Sequence, residues 1–195
     1  METLKGKVVL ITGAGKGIGR RLAEELAARG AIVALSDISP INVEEVAAGI
    51  RTRGGVVKVY VEDVAKKVGA QMLVKSVEDE FGGIDVLVNH AAVEPHTPLL
   101  DMDEWDWHRT LDVNLTGTFL MSQSAGRVMR AKGSGVILSL GVGADEKEKE
   151  AGAYLVSKSA LVELSQQLAR ELNPFGVRVF TASTFEEALN ALEEA

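Results

Sequence analysis

The residues best suited to chemistry are a tyrosine and a lysine four positions apart, Tyr154 and Lys158. On a helix this spacing puts both side chains on one face. A lysine ammonium beside a tyrosine lowers the pKa of the phenol, so that the hydroxyl can exchange a proton near neutral pH. Two surface residues of a helix would show the same spacing, so the pair indicates acid–base chemistry only together with other motifs.

A glycine-rich segment follows the first apolar run and reads Thr12-Gly13-Ala14-Gly15-Lys16-Gly17-Ile18-Gly19. Between a strand and a helix, such glycines let the backbone approach a pyrophosphate, and the helix N-terminus offers it unpaired N–H groups. The spacing is T-G-x-x-x-G-x-G, because Ile18 stands at the last glycine position of G-x-G-x-x-G, and no Gly-Lys-Ser/Thr triplet makes it a P-loop. A purely structural glycine turn is the weaker interpretation.

A carboxylate, Asp37, follows the second apolar run about 20 residues after the glycine turn. In this position it can accept hydrogen bonds from the adenosine ribose, and its charge would repel a 2′-phosphate. This favours NAD over NADP, although Lys16 is a cation that favours NADP. The alternative is that Asp37 caps the following helix, and it could serve both purposes.

Strands and helices alternate along the whole sequence. The predicted strands are 8–11, 32–35, 56–61, 84–88, 136–140 and 177–181, and the predicted helices are 20–29, 40–53, 64–81, 101–130, 151–172 and a short last helix. For that last helix we expect Ser183 or Thr184 as N-cap, with Glu186 completing a capping box. The alternation predicts one α/β domain over 1–195, a Rossmann-type doubly wound parallel sheet with six strands in the order 3-2-1-4-5-6 and helices on both faces.

Composition excludes several classes of protein. The 195 residues are 46% hydrophobic and 25% charged, as in an ordinary globular protein. The formal net charge of -7 argues against binding to nucleic acid or anionic lipid, and the absence of cysteine excludes a disulfide framework and a cysteine nucleophile. We find no signal peptide and no apolar run that could span a membrane, so a cytoplasmic location is expected.

Taken in chain order, the motifs resemble those of the short-chain dehydrogenase/reductase family over roughly Leu4 to Val179. Besides those above, they are Asp63-Val64, Asn89-His90-Ala91-Ala92 and Asn114 in Asp-Val-Asn-Leu-Thr-Gly. The resemblance implies an NAD(P)-dependent oxidoreductase that transfers a hydride between nicotinamide and an alcohol or carbonyl substrate. NAD is the expected cofactor, and NADP is the less favoured one.

The resemblance also implies a role for each motif. Tyr154 would be the general acid/base, Lys158 would hold the nicotinamide ribose and tune the tyrosine, and Asn114 would shape a kinked helix and anchor a proton-relay water. Asp63 and Val64 would contact the adenine. The cofactor-binding set is Thr12, Gly13, Gly15, Lys16, Gly17, Ile18, Gly19, Asp37, Asp63, Val64, Asn89, Ala91 and Lys158.

The main departures from the family pattern, at Gly141, 145–150 and 181–195, concern the substrate side. The family has a serine thirteen residues before the tyrosine, and this chain has Gly141 there, with Ser139 two residues earlier as an open substitute. The usual Asn-Asn-Ala-Gly has His90 and Ala92, which would alter packing more than chemistry. The segment 181–195 is atypical, since the family continues with a substrate-covering loop and a seventh strand, and 145–150 is unusually charged.

Two functions therefore stay open from the sequence, an oxidoreductase with impaired activity and a non-catalytic NAD-binding pseudoenzyme or engineered Rossmann scaffold. No metal site is expected, because the three histidines lack the spacing of a helical metal pair. Apolar residues on more than one face of the 103–130 and 151–172 helices predict a homo-oligomer that forms through them. The substrate, a small alcohol or carbonyl compound, is not identified by the sequence.

Overall fold

The computed structural model describes residues 4–141 and 151–193, so the charged segment 145–150 lies outside the described residues. The strands are β1 (Val8–Thr12), β2 (Ile32–Asp37), β3 (Val56–Val61), β4 (Val86–Asn89), β5 (Gly135–Leu140) and β6 (Val177–Ala182). The helices are α1 (Gly17–Ala28), α2 (Pro40–Thr52), α3 (Lys67–Phe81), α4 (Glu104–Leu111), α5 (Thr118–Lys132), α6 (Gly152–Leu172) and α7 (Phe185–Glu193).

The six strands form one parallel sheet in the order β3-β2-β1-β4-β5-β6, which confirms the predicted topology. All five residues of β1 are buried, as expected for a central strand of a parallel sheet that helices cover on both faces. On one side β1 pairs with β2, with Val8 opposite Ile32, and on the other side it pairs with β4, with Val9 opposite Val86. The order reverses between β1 and β4, and the site lies at this switch point.

Each face of the sheet has its own apolar core. On one face, Leu22 and Leu26 of α1 pack with Ile11 of β1, together with residues of α2 and α7. On the other, Leu73 of α3 and Met121 of α5 pack with residues of β1 and β4. Each fully buried aliphatic side chain of this kind contributes about 1.5–3 kcal/mol. Across the described ranges, no helix is long and apolar enough to cross a bilayer.

The predicted helix 101–130 is two helices. Between α4 and α5 lies a π-helical segment, Asp112–Gly117, with Asn114 in its middle. A π-helical turn widens the helix locally, and such turns occur preferentially at functional sites.

Helix starts also differ from the prediction, since α1 begins at Gly17 rather than at 20 and α4 begins at Glu104 rather than at 101. Helix α3 begins at Lys67 rather than at 64, because the Asp63 carboxylate and carbonyl accept hydrogen bonds from Ala65 N and Lys66 N and form a turn first. At α7, Thr184 Oγ1 accepts from Glu187 N at 3.1 Å, and the Glu187 carboxylate accepts from the backbone N–H of Ser183. The predicted capping partner, Glu186, is therefore wrong by one residue.

Candidate functional site

A cavity of about 640 Å³ opens at the carboxyl ends of β1, β2 and β4. Its volume lies within the range of about 300–1,000 Å³ that is usual for small-molecule sites. The predicted site residues that line it are Gly13, Lys16, Gly17, Asp37, Asp63, Val64, Ala91 and Tyr154. The others stand outside its lining and are Thr12, Gly15, Ile18, Gly19, Asn89, Asn114 and Lys158.

The turn between β1 and α1 leaves the start of the helix available to an anion. Gly13 and Gly17 have φ values of +64° and +60°, which favour glycine. Helix α1 begins at Gly17, and its N-cap residue, Lys16, makes no side-chain hydrogen bond to the first turn. Within the described ranges, the first N–H groups of α1 have no side-chain cap, and they fit a pyrophosphate group.

Three glycines of the turn are also required by packing. A Cβ on Gly13 would lie 2.7 Å from Ala91 Cα, and a Cβ on Gly15 would lie 2.8 Å from Asn42 Cβ. A Cβ on Gly19 would lie 2.6 Å from the Gly13 carbonyl oxygen. The absence of side chains thus lets the turn pack closely against the end of β4 and against α2.

Replacing Gly19 by alanine tests this packing. Alanine is the better helix former by about 1 kcal/mol, yet we expect a loss of about 1–3 kcal/mol in the free energy of unfolding, because the new methyl group overlaps the Gly13 carbonyl. Urea unfolding measures the change. Gly49→Ala in α2 is the control, since a Cβ there meets only the Arg53 guanidinium at 3.7 Å, and it should be neutral or stabilising.

Asp37 links the end of β2 to the glycine turn. Its Oδ2 accepts a hydrogen bond from Gly15 N at 2.9 Å, and its Oδ1 accepts from Ser39 N at 2.9 Å. The N-cap of α2 is Ser39, whose hydroxyl accepts from Asn42 N, so the capping role considered for Asp37 is wrong. Each carboxylate oxygen can accept a further hydrogen bond, as from a ribose hydroxyl.

A second polar cluster on the cavity wall is centred on Asp63. Its Oδ2 lies 3.4 Å from Nη1 of Arg109 in α4, and both side chains are about a quarter exposed. The neighbouring Val64 is buried and packs closely against Gly117, where a Cβ would lie 3.0 Å from Val64 Cγ2. Arg109 and Glu62 line the cavity but belong to no motif, and the sequence held no signal for them.

The end of β4 is fixed to the end of β1 by the side chain of Thr12. Its Oγ1 accepts from His90 N at 3.2 Å and from Ala91 N at 3.3 Å, and it donates to Val88 O. Asn89 is buried behind the wall, where its Nδ2 donates to Ser122 Oγ at 3.0 Å. These bonds hold the segment that lines the cavity.

The imidazole of His90 packs inside the glycine turn. Its Nδ1 lies 2.9 Å from the Gly13 carbonyl oxygen, and the ring also lines the cavity. Burial lowers the pKa of His90 below its usual value, and the charge of Lys158 acts in the same direction. The prediction that this departure from the family pattern alters packing was incomplete, because the ring also hydrogen-bonds the turn.

Asn114 joins the π-helical segment to two other parts of the site. Its Oδ1 accepts from Val93 N at 2.8 Å, and its Nδ2 donates to Val93 O and to Ser157 Oγ. The Ser157 hydroxyl in turn donates to the carbonyl of Tyr154 at 2.7 Å. Asn114 thus positions the first turns of α6, while its role in anchoring a water stays a prediction.

Tyr154 and Lys158 lie on the same face of α6. The Lys158 ammonium is buried, donates to Leu140 O at 2.7 Å and lies 5.6 Å from the centroid of the Tyr154 ring. A buried charge is costly unless polar groups surround it, so this placement indicates a specific use. Tyr154 lines the cavity, and the pair can therefore present a proton donor backed by a positive charge.

The position of the expected serine, Gly141, follows directly after β5. Its N–H donates to Ala182 O at 2.8 Å. Among the described residues, the atoms nearest to a Cβ there would be Ala182 O and Ser183 Oγ, each at 3.7 Å, so these residues leave room for a serine. Ser139 is fully buried, and its hydroxyl has no hydrogen-bond partner among the described residues, so it lies deeper than Gly141, as expected.

Metal chemistry has no support in the described parts of the chain. Over residues 4–141 and 151–193, no three histidine, aspartate or glutamate side chains come close enough together to hold a metal ion. His108 lies 3.3 Å from Glu104 on the exposed face of α4.

Comparisons with known proteins agree with this geometry. The family model described as short chain dehydrogenase matches residues 7–184. D-threitol dehydrogenase of Mycolicibacterium smegmatis is 39% identical over 92% of this chain and 70% of its own length. NAD-dependent glycerol dehydrogenase of Listeria innocua is 37% identical over 89% of this chain and 67% of its own length.

A solved structure, that of NAD⁺-bound xylitol dehydrogenase, superposes with a TM-score of 0.88 at 34% identity and covers 92% of this chain and 70% of that one. The similarity to this structure thus extends over most of the chain, in fold as well as in sequence. The chain therefore belongs to the short-chain dehydrogenase family of oxidoreductases.

Proposed function

We propose that the protein is an NAD-dependent oxidoreductase that interconverts an alcohol and a carbonyl compound, with Tyr154 as the general acid/base. The observation that carries the proposal is that one cavity is lined by Asp37, by the glycine turn and by Tyr154. A dinucleotide in this cavity would supply the hydride donor or acceptor.

The residues of this chain would transfer the proton, stabilise the charged phenol and bind the cofactor. The Tyr154 hydroxyl gives a proton to the substrate oxygen in reduction and takes it back in oxidation. The Lys158 ammonium stabilises negative charge on the phenol oxygen. Its bond to Leu140 O fixes the ammonium at the carboxyl end of β5, the position from which it would bind the nicotinamide ribose. The start of α1 binds the pyrophosphate, and Asp37 binds the adenosine ribose.

The test is a titration of the purified protein with NADH and, separately, with NADPH, followed by nicotinamide fluorescence or calorimetry. Saturable binding that favours NADH, followed by turnover of simple ketones and alcohols, is the expected result. Binding of neither dinucleotide would overturn the proposal. The relatives named for threitol, glycerol and xylitol support a polyol or a similar alcohol as the substrate.

Cofactor choice is tested by Asp37→Asn. We expect the preference for NADH over NADPH to fall by about tenfold or more, because the variant no longer repels the 2′-phosphate of NADPH. Two like charges about 4 Å apart repel each other by roughly 1 kcal/mol in bulk water and by roughly 4 kcal/mol near a protein surface. The asparagine has nearly the same shape and retains an acceptor for Gly15 N or Ser39 N. The measurement is the ratio of the two dissociation constants.

The control for this variant is Glu44→Gln, which removes an exposed charge of α2 that pairs with Arg51, outside the cavity lining. It should leave the ratio unchanged. An unchanged ratio in Asp37→Asn itself, with an unchanged melting temperature, would show that another group selects the cofactor.

A second candidate function, an NAD-binding protein without turnover, is favoured by one observation. Gly141 has no side chain where a carbonyl-orienting hydroxyl is expected, and the Ser139 hydroxyl is fully buried. Loss of one such donor costs about 2.7–4 kcal/mol of transition-state stabilisation. An oxidoreductase with impaired turnover agrees both with Tyr154 in the cavity lining and with the missing hydroxyl at Gly141.

We also propose that the protein is a homo-oligomer, which would form through α5 and α6. Phe119, Val156 and Val162 are between about 39% and 46% exposed on these helices. Apolar side chains at this exposure favour burial by a second copy.

A further inference from the structure

We propose that His90 is a positioning residue of the cofactor site, whose Nδ1–H holds the Gly13 carbonyl and thereby sets the shape of the glycine turn that receives the dinucleotide. The inference rests on the proposed function and extends it to a residue that departs from the family pattern. Its support is the fit between the imidazole and the turn.

The ring fits into space that only glycines leave open. A Cβ on Gly19 would lie 2.5 Å from His90 Nδ1 and 3.1 Å from its Cγ. On Gly17, a Cβ would lie 3.5 Å from Nε2. The ring is thus enclosed by the turn at its Nδ1 edge, while the residue also lines the cavity.

The backbone of His90 is held independently of its ring. Its N–H donates to Thr12 Oγ1 at 3.2 Å, at the end of β1. Nδ1 reaches Gly13 O, the residue after Thr12, at 2.9 Å. The two bonds join the ends of β1 and β4 directly below the glycine turn, so a change in the ring contact alters the turn without releasing the strand.

The chemistry of the contact assigns the tautomer. A carbonyl oxygen only accepts, so the contact requires the hydrogen on Nδ1. Burial lowers the pKa of His90 below its usual value, and the charges of Lys158 and Lys16 act in the same direction. The hydrogen bond to Gly13 O and the charge of Asp37 act against this but are outweighed. Near pH 7 the ring is neutral, with its one hydrogen on Nδ1 and with Nε2 bare on the side of Gly17.

Three variants of His90 distinguish a role of the Nδ1 hydrogen bond from a role in which the ring only fills space. In His90→Asn the amide N–H₂ lies close to the place of Nδ1 and can donate to Gly13 O, whereas in His90→Gln it lies one bond further out. His90→Leu fills space without a donor. We expect NADH to bind His90→Asn within about twofold of the wild type and to bind the other two about threefold to tenfold more weakly.

Steady-state kinetics give a second readout. In His90→Gln and His90→Leu the KM for NADH should rise by the same factor as the dissociation constant, while kcat stays within about twofold, because the acid–base pair on α6 is untouched. Equal binding by the Asn and Leu variants, or dissociation constants unchanged in all three variants alongside lower melting temperatures, would overturn the proposal.

The tautomer is read directly by ¹⁵N NMR of the imidazole rings in the unliganded protein at pH 7.5. The His90 signals are identified by their loss in His90→Asn, and the expected pattern is a neutral ring protonated at Nδ1. A ring protonated at Nε2 would overturn the proposal. If the wild type binds neither NADH nor NADPH, the proposed function fails, and the NMR result then decides the His90–Gly13 contact alone.

Discussion

Replacing Tyr154 by phenylalanine is expected to lower kcat by about 10²-fold to 10⁴-fold, because the variant retains the ring and loses the proton donor of the cavity. NADH binding should stay within about twofold, because Gly17 and Asp37, which we propose to hold the pyrophosphate and the ribose, are unchanged. The measurement is turnover of a ketone that the wild type reduces, together with an NADH titration of the same preparation.

The other tyrosine of the chain, Tyr60 in β3, provides the control. Its hydroxyl is buried with no hydrogen-bond partner among the described residues, and desolvation raises its pKa to about 12. Tyr60 is outside the cavity lining and its raised pKa keeps the phenol protonated near neutral pH, so Tyr60→Phe should leave kcat unchanged. An unchanged kcat in Tyr154→Phe would move the acid–base role to another residue and overturn the proposed mechanism.

The second large effect is expected from Gly141→Ser, which should raise kcat by about 10²-fold to 10³-fold if the missing hydroxyl limits turnover. The described residues leave room for the side chain, since their nearest atoms to a Cβ are Ala182 O and Ser183 Oγ at 3.7 Å. The new hydroxyl would stand at the carboxyl end of β5, next to the strand end that Lys158 contacts through Leu140 O.

Gly141→Ala is the matched control, because it adds the same Cβ without the hydroxyl and should leave kcat unchanged. Comparable gains in kcat in both variants would mean that the backbone freedom of Gly141, rather than a missing hydrogen bond, limits turnover. No gain in Gly141→Ser with normal NADH binding would favour the non-catalytic function. Ser139→Ala tests the other explanation for such a result, because unchanged turnover in this variant would reject Ser139 as the substitute hydroxyl.

Much of the fold could be predicted because its strands are short, apolar and bounded by glycine or aspartate. The bounds of β3 were predicted without error, and those of β1 within one residue. Periodicity alone could not predict the π-helical segment, since helical periodicity continues through it, and a kink at Asn114 was expected only from the family resemblance. The segment depends on the hydrogen bonds of Asn114 to Val93 and Ser157, residues far away in the chain.

The candidate site likewise contains residues that local motifs predict and residues that only the packing of distant elements brings together. The glycine turn and the Tyr154–Lys158 pair are contiguous motifs, so their spacing carried the prediction. The contribution of Arg109 depends on how α4 packs near the end of β3, which no local pattern encodes. His90 was noticed as a departure from the family pattern, but its contact with Gly13 O depends on the pairing of β1 with β4.

The reversal of strand order between β1 and β4 determines how the two halves of the sheet are held together. Residues before β4 build one half of the sheet, residues from β4 onward build the other, and within the sheet the halves meet only at this pair of strands. The cavity is lined by Asp37 from the first half and Tyr154 from the second. A dinucleotide bound there acts as a cross-link between the halves, and at a concentration one hundred times its dissociation constant it would add about 2.7 kcal/mol to the free energy of unfolding.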